Sequence, residues 1–217
     1  MDLHENLKGK TVVITGGSGI LCREFAYAYA KQGMNVAVLG RTLSKLEEVR
    51  DKINELGGNG LAVVCDVVDK DSVINAKKVV NDTFGKVDIL VNGAGGNHPK
   101  GTTTKEYFEK GDIENPNVVS FFDLSKENFN YVFDLNIVGT LIPTQVFIVD
   151  MLDNPGANVL NIASMSSYHA ITKVSAYCAA KAAISNFTEW PYILQKAVSE
   201  STLLHRAGLK QYRIKHF

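Results

Sequence analysis

Thr11-Val12-Val13-Ile14-Thr15-Gly16-Gly17-Ser18-Gly19-Ile20 is an apolar strand that runs straight into a glycine-rich turn. A helical pattern follows through Phe25, Ala26, Tyr29 and Ala30, and Gly33 closes it. Working outward, Val36-Ala37-Val38-Leu39 reads as a second strand. Leu43, Leu46, Val49, Ile53 and Leu56 then mark one face of a helix that ends at Gly57-Gly58. Leu61-Ala62-Val63-Val64-Cys65 is a third strand, Val73, Ala76, Val79 and Val80 mark a third helix, and Val87-Asp88-Ile89-Leu90-Val91 is a fourth strand.

Continuous apolar strands separated by amphipathic helices indicate a parallel sheet covered on both faces. With right-handed crossovers this is an α/β fold, a Rossmann-type doubly wound sheet in three αβα layers. From Gly93 to about Asp123 the helical pattern stops, and Gly, Thr, Lys, Asn and Pro dominate. This long loop follows the carboxyl end of a strand, where such sheets bind ligands, so it is expected to be functional. Two helices are expected at about Lys126–Leu135 and Gly139–Leu152. A fifth strand is expected at Ala157–Ile162, and a last helix at Ser175–Trp190.

The 217 residues suit one domain with a full core. A formal net charge of zero argues against a nucleic-acid surface. The N-terminus, Met1-Asp2-Leu3-His4-Glu5-Asn6, lacks the apolar stretch of a signal peptide, and no apolar run of membrane-spanning length is expected. Cys22, Cys65 and Cys178 have neither metal nor disulfide spacing. Free thiols in a reducing cytoplasm, with no metal site, are the expectation.

Tyr177 and Lys181 stand four apart in Ser175-Ala176-Tyr177-Cys178-Ala179-Ala180-Lys181, and so share a helix face. A phenol beside an ammonium is a proton donor whose pKa the cation lowers, which suits reduction of a carbonyl by hydride. Solvated helix faces carry the same pair, so the rest of the chain decides.

Taken together these motifs resemble the short-chain dehydrogenase/reductase family over about Leu7 to Trp190. The glycine-rich turn, Thr15 to Ile20, corresponds to the family's pyrophosphate loop. Asp66, followed by Val67, resembles the adenine-contacting Asp; the same residue could serve as a plain helix cap. Asn92-Gly93-Ala94-Gly95 resembles the family's Asn-Asn-Ala-Gly. Asn136 resembles the active-site Asn, and Ser164 in Asn161-Ile162-Ala163-Ser164 stands at family spacing before Tyr177. The resemblance implies that Tyr177 moves the proton and that Lys181 assists it and holds the nicotinamide ribose. Ser164 would then hydrogen-bond the substrate oxygen, and Asn136 would complete a proton-relay water. It also implies NAD or NADP as cofactor, a small-molecule substrate, and homo-oligomers among intact relatives. At the end of the second strand Gly40 stands where an acid would mark NAD, and Arg41 follows. Arg41 can grip the 2′-phosphate of NADP, stack on adenine or face water.

One departure is informative. Ile20 and Cys22 occupy the positions of the last two family glycines in ungapped register, which puts close approach of the cofactor in question. The Gly-Gly-x-Gly-x-Leu-Cys variant resembles the D-mannonate oxidoreductase (fructuronate reductase) sub-branch. So do Gly95-Gly96-Asn97-His98-Pro99, Phe121-Phe122-Asp123-Leu124, Phe133-Asp134-Leu135-Asn136 and Ser185-Asn186-Phe187-Thr188-Glu189-Trp190. Polar Asn97 and His98 would suit a hydroxylated, anionic substrate, and His98 equally suits a solvated loop. The chain is accordingly read as an oxidoreductase on a sugar acid. Alternatives are a ketoreductase on another substrate, such as a 3-oxoacyl group or polyol-derived ketone, and an inactive cofactor-binding remnant.

After Trp190 the pattern departs. A shift of reading frame lets Glu200–Leu209 encode Val-Asn-Ala-Ala-Thr-Pro-Gly-Trp-Phe, which resembles the family's continuation, and lets Pro191–Leu194 encode Ala-Val-Tyr-Phe. Residues 1–190 are therefore expected to form the dehydrogenase domain without its last two strands, and 191–217 an atypical tail. The fifth strand would then be an exposed edge.

Overall fold

The computed structural model describes residues 4–152, 154 and 156–198, with the backbone alone from 191 onward. Of the tail expected at 191–217, residues 191–198 continue the last helix and 199–217 lie outside the described residues. Five strands form one parallel sheet in the order β3-β2-β1-β4-β5. They are β1 (Thr11–Thr15), β2 (Asn35–Gly40), β3 (Asn59–Val64), β4 (Ile89–Asn92) and β5 (Asn158–Asn161). Strand order reverses between β1 and β4, which makes their carboxyl ends the switch point where such sheets hold ligands. Thr15 lies in register with Leu39 on one side and with Asn92 on the other, so the turns after β1, β2 and β4 meet at one edge.

Alternation along the strands fills both layers. Val12 and Ile14 of β1 point to one face, with Val36, Val38 and Val91, under α1 (Ile20–Ala30) and α2 (Leu43–Glu55). Val13 points to the other face, with Ala37, Leu39 and Leu90, under α3 (Lys70–Phe84) and the helix that follows the long loop. Side chains on opposite faces at period two, all buried, are what a doubly covered parallel sheet requires. Each such Val, Leu or Ile contributes about 1.5–3 kcal/mol on burial. The edge strand β3 differs from the sequence expectation: Val64, its last residue, is exposed. Val79 of α3 is likewise exposed, and Val73, Ala76 and Val80 carry that helix's contact.

The expected pair of helices beyond the long loop is one continuous helical rod. α4 (Lys126–Phe133) passes through a π turn (Asp134–Val138) into α5 (Gly139–Phe147), and a 3₁₀ turn ends it at Met151. Joined, residues 126–151 are long and apolar enough to cross a membrane, which corrects the expectation that no such run exists. The reason is local: the π turn carries the helix across Asn136-Ile137-Val138, where the sequence pattern implied a gap. Here Phe147 and Met151 are buried against the sheet, and Lys77 of α3 is paired to Asp150 at 2.6 Å. The long loop holds three short 3₁₀ turns, at Pro99–Gly101, Asp112–Glu114 and Phe121–Asp123. α6 (Ser175–Val198) is the last described element and runs beyond the expected end at Trp190.

Candidate active site

A groove of about 420 Å³ opens at the switch point. Gly16, Ser18, Gly19, Ile20, Arg41, Asp66, Val67, Gly93, Ala94 and Gly95 all line it, as the motifs implied. Gly16 has φ of +64°, and a Cβ there would stand 2.9 Å from the Ala94 backbone, so the first and fourth turns interlock. Gly19 is the N-cap of α1 and has no side-chain cap, which leaves the first amides of that helix for an anion.

Tyr177 and Lys181 do not line the groove, and three of the turn residues placed in it by sequence instead brace it. Thr15 Oγ1 accepts the Gly93 and Ala94 amides at 3.1 Å each. Gly17 lies against Val38, where a Cβ would come within 2.6 Å. Asn92 is buried, and its Nδ2 donates to Thr144 Oγ1 at 2.9 Å and to Asn161 Oδ1 at 2.8 Å. The missing glycines are accommodated in two ways. Ile20 turns its side chain outward, 79 % exposed, and Cys22 fills the space under Gly93, which a Cβ at Gly93 would invade. Burial raises the Cys22 thiol pKa, while the Lys181 ammonium opposes that rise. Asp66 is not the cap of α3. Asp69 takes that role, accepting from Asp71 N and Ser72 N, and Asp66 is left on the groove wall. Sequence reasoning passed over Thr42, Lys45, Leu135 and Ile162, which also line the groove. Lys45 was findable: it follows Arg41 by four residues in the first turn of α2.

The catalytic candidates come from the other side of the sheet. Lys181 is buried on α6, its Nζ donates to the Ile162 carbonyl at 2.8 Å, and it stands 5.7 Å from the centre of the Tyr177 ring. Desolvation by burial lowers the Lys181 pKa, against a smaller opposing effect of Cys22. Asn136 sits in the π turn. Its Nδ2 donates to Val132 O and Gly96 O at 2.7 Å, and its Oδ1 accepts Gly96 N at 3.2 Å. The side-chain amide is thus committed to holding the loop. A Cβ on Gly95 would lie 2.7 Å from Asn136 Oδ1 and 3.2 Å from Lys181 Nζ, so both groups converge where that glycine enters the groove. Ser164 caps the 3₁₀ turn Met165–Ser167, its Oγ accepting Ser166 N at 3.2 Å. Tyr177 packs with Val132, Ala176 and Ala180. A part-buried polar chain ties the two sides: Asn92 bonds Asn161, and Asn161 Nδ2 donates to Thr188 Oγ1 of α6 at 3.0 Å.

Asn97 and His98 line neither this groove nor a second cavity in the long loop. Asn97 Nδ2 donates to Thr102 Oγ1 at 2.7 Å. His98 Nδ1 accepts Lys100 N at 3.3 Å, and its ring lies 4.6 Å from that of Tyr131. No cluster that could hold a metal occurs among the described residues.

A groove at the switch point of a doubly wound parallel sheet defines a Rossmann-type fold, and comparison with known proteins makes the family specific. The family model of the short chain dehydrogenases matches residues 10–191, and the chain belongs to that family. It is 47 % identical over 189 residues to the "Uncharacterized oxidoreductase UxuB" of Bacillus subtilis, covering 87 % of this chain and 66 % of that protein. It is 30 % identical to a sorbitol dehydrogenase of Cereibacter sphaeroides, over 84 % of this chain and 63 % of that one. A crystal structure of a "putative D-Mannonate oxidoreductase" from Haemophilus influenza with bound NAD superposes with a TM-score of 0.82 at 40 % identity. That match covers 88 % of this chain and 68 % of the other. The chain spans about two thirds of the length of the curated relatives it matches.

Proposed function

We propose that the chain is an NAD(P)-dependent oxidoreductase interconverting a secondary alcohol and a carbonyl, with a sugar acid of the D-mannonate/D-fructuronate type as substrate. The observation that carries the reaction is the convergence of Asn136 and buried Lys181 on Gly95, at the mouth of a glycine-built groove and one helical turn from Tyr177. The groove fits a dinucleotide: Gly16 and Gly93 let the first and fourth turns close on Ala94 and Cys22 without side chains between them, and the uncapped α1 amides suit a pyrophosphate. When bound, the nicotinamide supplies or accepts the hydride.

The chain's residues do the rest. Tyr177 gives its phenolic proton to the alkoxide oxygen, or takes it in the reverse direction. The Lys181 cation, 5.7 Å from the centre of the ring, would stabilise negative charge that builds on the phenol oxygen and would hold the cofactor ribose. Ser164 donates to the substrate oxygen and fixes its orientation. Asn136 holds the Gly95-Gly96 backbone in place. At the far end of the groove Asp66 would accept from the adenine, and Arg41 with Lys45 would favour the extra phosphate of NADP. The sugar-acid class is supported by the likeness to the Haemophilus protein.

The test mixes purified chain with D-mannonate or D-sorbitol and with NAD or NADP, and follows nicotinamide absorbance. D-mannonate-dependent reduction that vanishes in Tyr177→Phe is expected. No reduction with D-mannonate alongside reduction with D-sorbitol would overturn the substrate class. Equal rates in Tyr177→Phe would overturn the mechanism.

A further inference from the structure

A second cavity, about 200 Å³, lies apart from the dinucleotide groove. It is smaller than the roughly 300–1,000 Å³ of sites for drug-sized ligands, so it suits a molecule, or the end of one, only a few carbons long. The long loop forms one wall with Tyr107, Phe108 and Phe121, all exposed. The segment between Ser164 and Tyr177 forms the other, with Lys173 and Ser175. Thr103 N ties the walls by donating to the Lys173 carbonyl at 3.0 Å, and within the loop wall Thr104 N donates to the Val119 carbonyl at 2.9 Å.

Its polar inventory holds both signs: Glu106 and Asp112 line it as well as two lysines. Lys105 also lines the cavity, but its charge is committed to Asp112 Oδ1 at 2.8 Å and Glu109 Oε2 at 2.6 Å. Lys173 makes no ion pair among the described residues. Its backbone is left-handed, φ +73°, alone among the described non-glycine residues. Such a conformation is costly for a side chain of this kind and marks sites where position matters. Ser175 Oγ is buried and has no hydrogen-bond partner, a donor and acceptor without a mate on a cavity wall.

We propose that this cavity is the subsite for the non-reacting, carboxylate-bearing end of the substrate. The aromatic walls cover its C–H face, Ser175 bonds a hydroxyl, and Lys173 pairs the carboxylate. This rests on the sugar-acid reading above and gives it a physical basis, since the same stretch of chain carries Ser164 at one end and Tyr177 at the other. A ligand held along it is recognised by its acid end next to the turn that supplies the reacting groups.

Calorimetric titration of the full chain with D-mannonate and with D-mannitol, which lacks the carboxylate, tests it. Lys173→Asn removes the charge while keeping a residue that tolerates the left-handed backbone. D-mannonate should bind the wild type and bind Lys173→Asn at least about tenfold more weakly, the scale of one lost charge-assisted hydrogen bond. D-mannitol affinity should not change in that variant, and Ser175→Ala should weaken both ligands. Lys173→Arg should retain D-mannonate binding, and Lys173→Gly, which relaxes the backbone, should lose it without loss of thermal midpoint. Equal D-mannonate affinity across folded variants, or none in the wild type, overturns the subsite. D-mannonate turnover with affinity indifferent to Lys173 would leave the sugar-acid reading standing without it. Lys173-dependent binding with no D-mannonate-dependent nicotinamide reduction would leave the subsite and remove the reaction.

Discussion

β4 and β5 pair in register over four residues, yet β4 is buried at every position and β5 at none. The two sides of the site inherit that difference. The groove side stands on strands enclosed by helices, and its geometry is set by close approach, Gly16 against Ala94 and Gly93 against Cys22, with Thr15 Oγ1 pinning the Gly93 and Ala94 amides. The catalytic side stands on a half-covered strand, and its geometry is set by polar side chains. Asn161 reaches Asn92 and Thr188, and Lys181 reaches the carbonyl of Ile162. One side is held by close packing, the other by a few directional bonds.

The largest effect should come from emptying the catalytic side while the groove stays intact. Tyr177→Phe is expected to lower nicotinamide-dependent turnover by about 10²–10⁴-fold, the typical worth of general acid catalysis. Dinucleotide affinity, read by fluorescence quenching, should stay within about twofold, since the ring's contacts are kept. Loss of both together would erase the distinction between the two sides.

Strand by strand, the contrast can be measured as stability. Leu90→Ala on β4, where the side chain is fully buried, should cost about 2–5 kcal/mol in urea denaturation. Leu160→Ala on β5 is 40 % exposed and should cost under about 1 kcal/mol. Similar costs would show that β5 is covered in solution. A smaller change is expected for Gly93→Ala, whose new methyl meets Cys22 Sγ and Thr15 O. It should lose about 1–3 kcal/mol by overpacking, with weaker dinucleotide binding. A double variant, Gly93→Ala with Cys22→Gly, should recover part of both losses.

The smallest effect concerns pH. Burial lowers the Lys181 pKa below 10.5, so the folded state releases its proton before the unfolded state does. The cost of burying the charge is then fully present at neutral pH and is relieved as pH rises from the folded pKa toward 10.5. Wild type should therefore gain stability relative to Lys181→Met over that interval. The opposite slope would mean that charge pairing, not burial, governs this lysine.

The groove side was legible because its signals are local. A strand, a glycine turn and a helix occupy one stretch of chain, and glycines where side chains cannot fit follow from backbone geometry. Even so, Thr15, Gly17 and Asn92 were read as lining residues when they brace the turns. Sequence shows that a residue is near the site and not which way it points. The long helical rod was missed for a related reason. A π turn has no distinct hydrophobic period, so the sequence showed two helices where the backbone makes one. The second cavity had no local signal at all, because its walls come from residues about 70 apart, Thr103 and Lys173, joined only by folding.

That rod also bears on how the chain is made. Emerging alone, residues 126–151 would offer a membrane-insertion apparatus a segment of acceptable length and apolarity. Its cover, however, is synthesised first: β1 to β4 and α3 all precede it in the chain. Since synthesis runs from the N-terminus at about 5–20 residues per second, those strands have seconds to assemble before the rod appears. Element order thus serves as a timing device, one that circular permutation placing residues 126–151 ahead of β1 would remove.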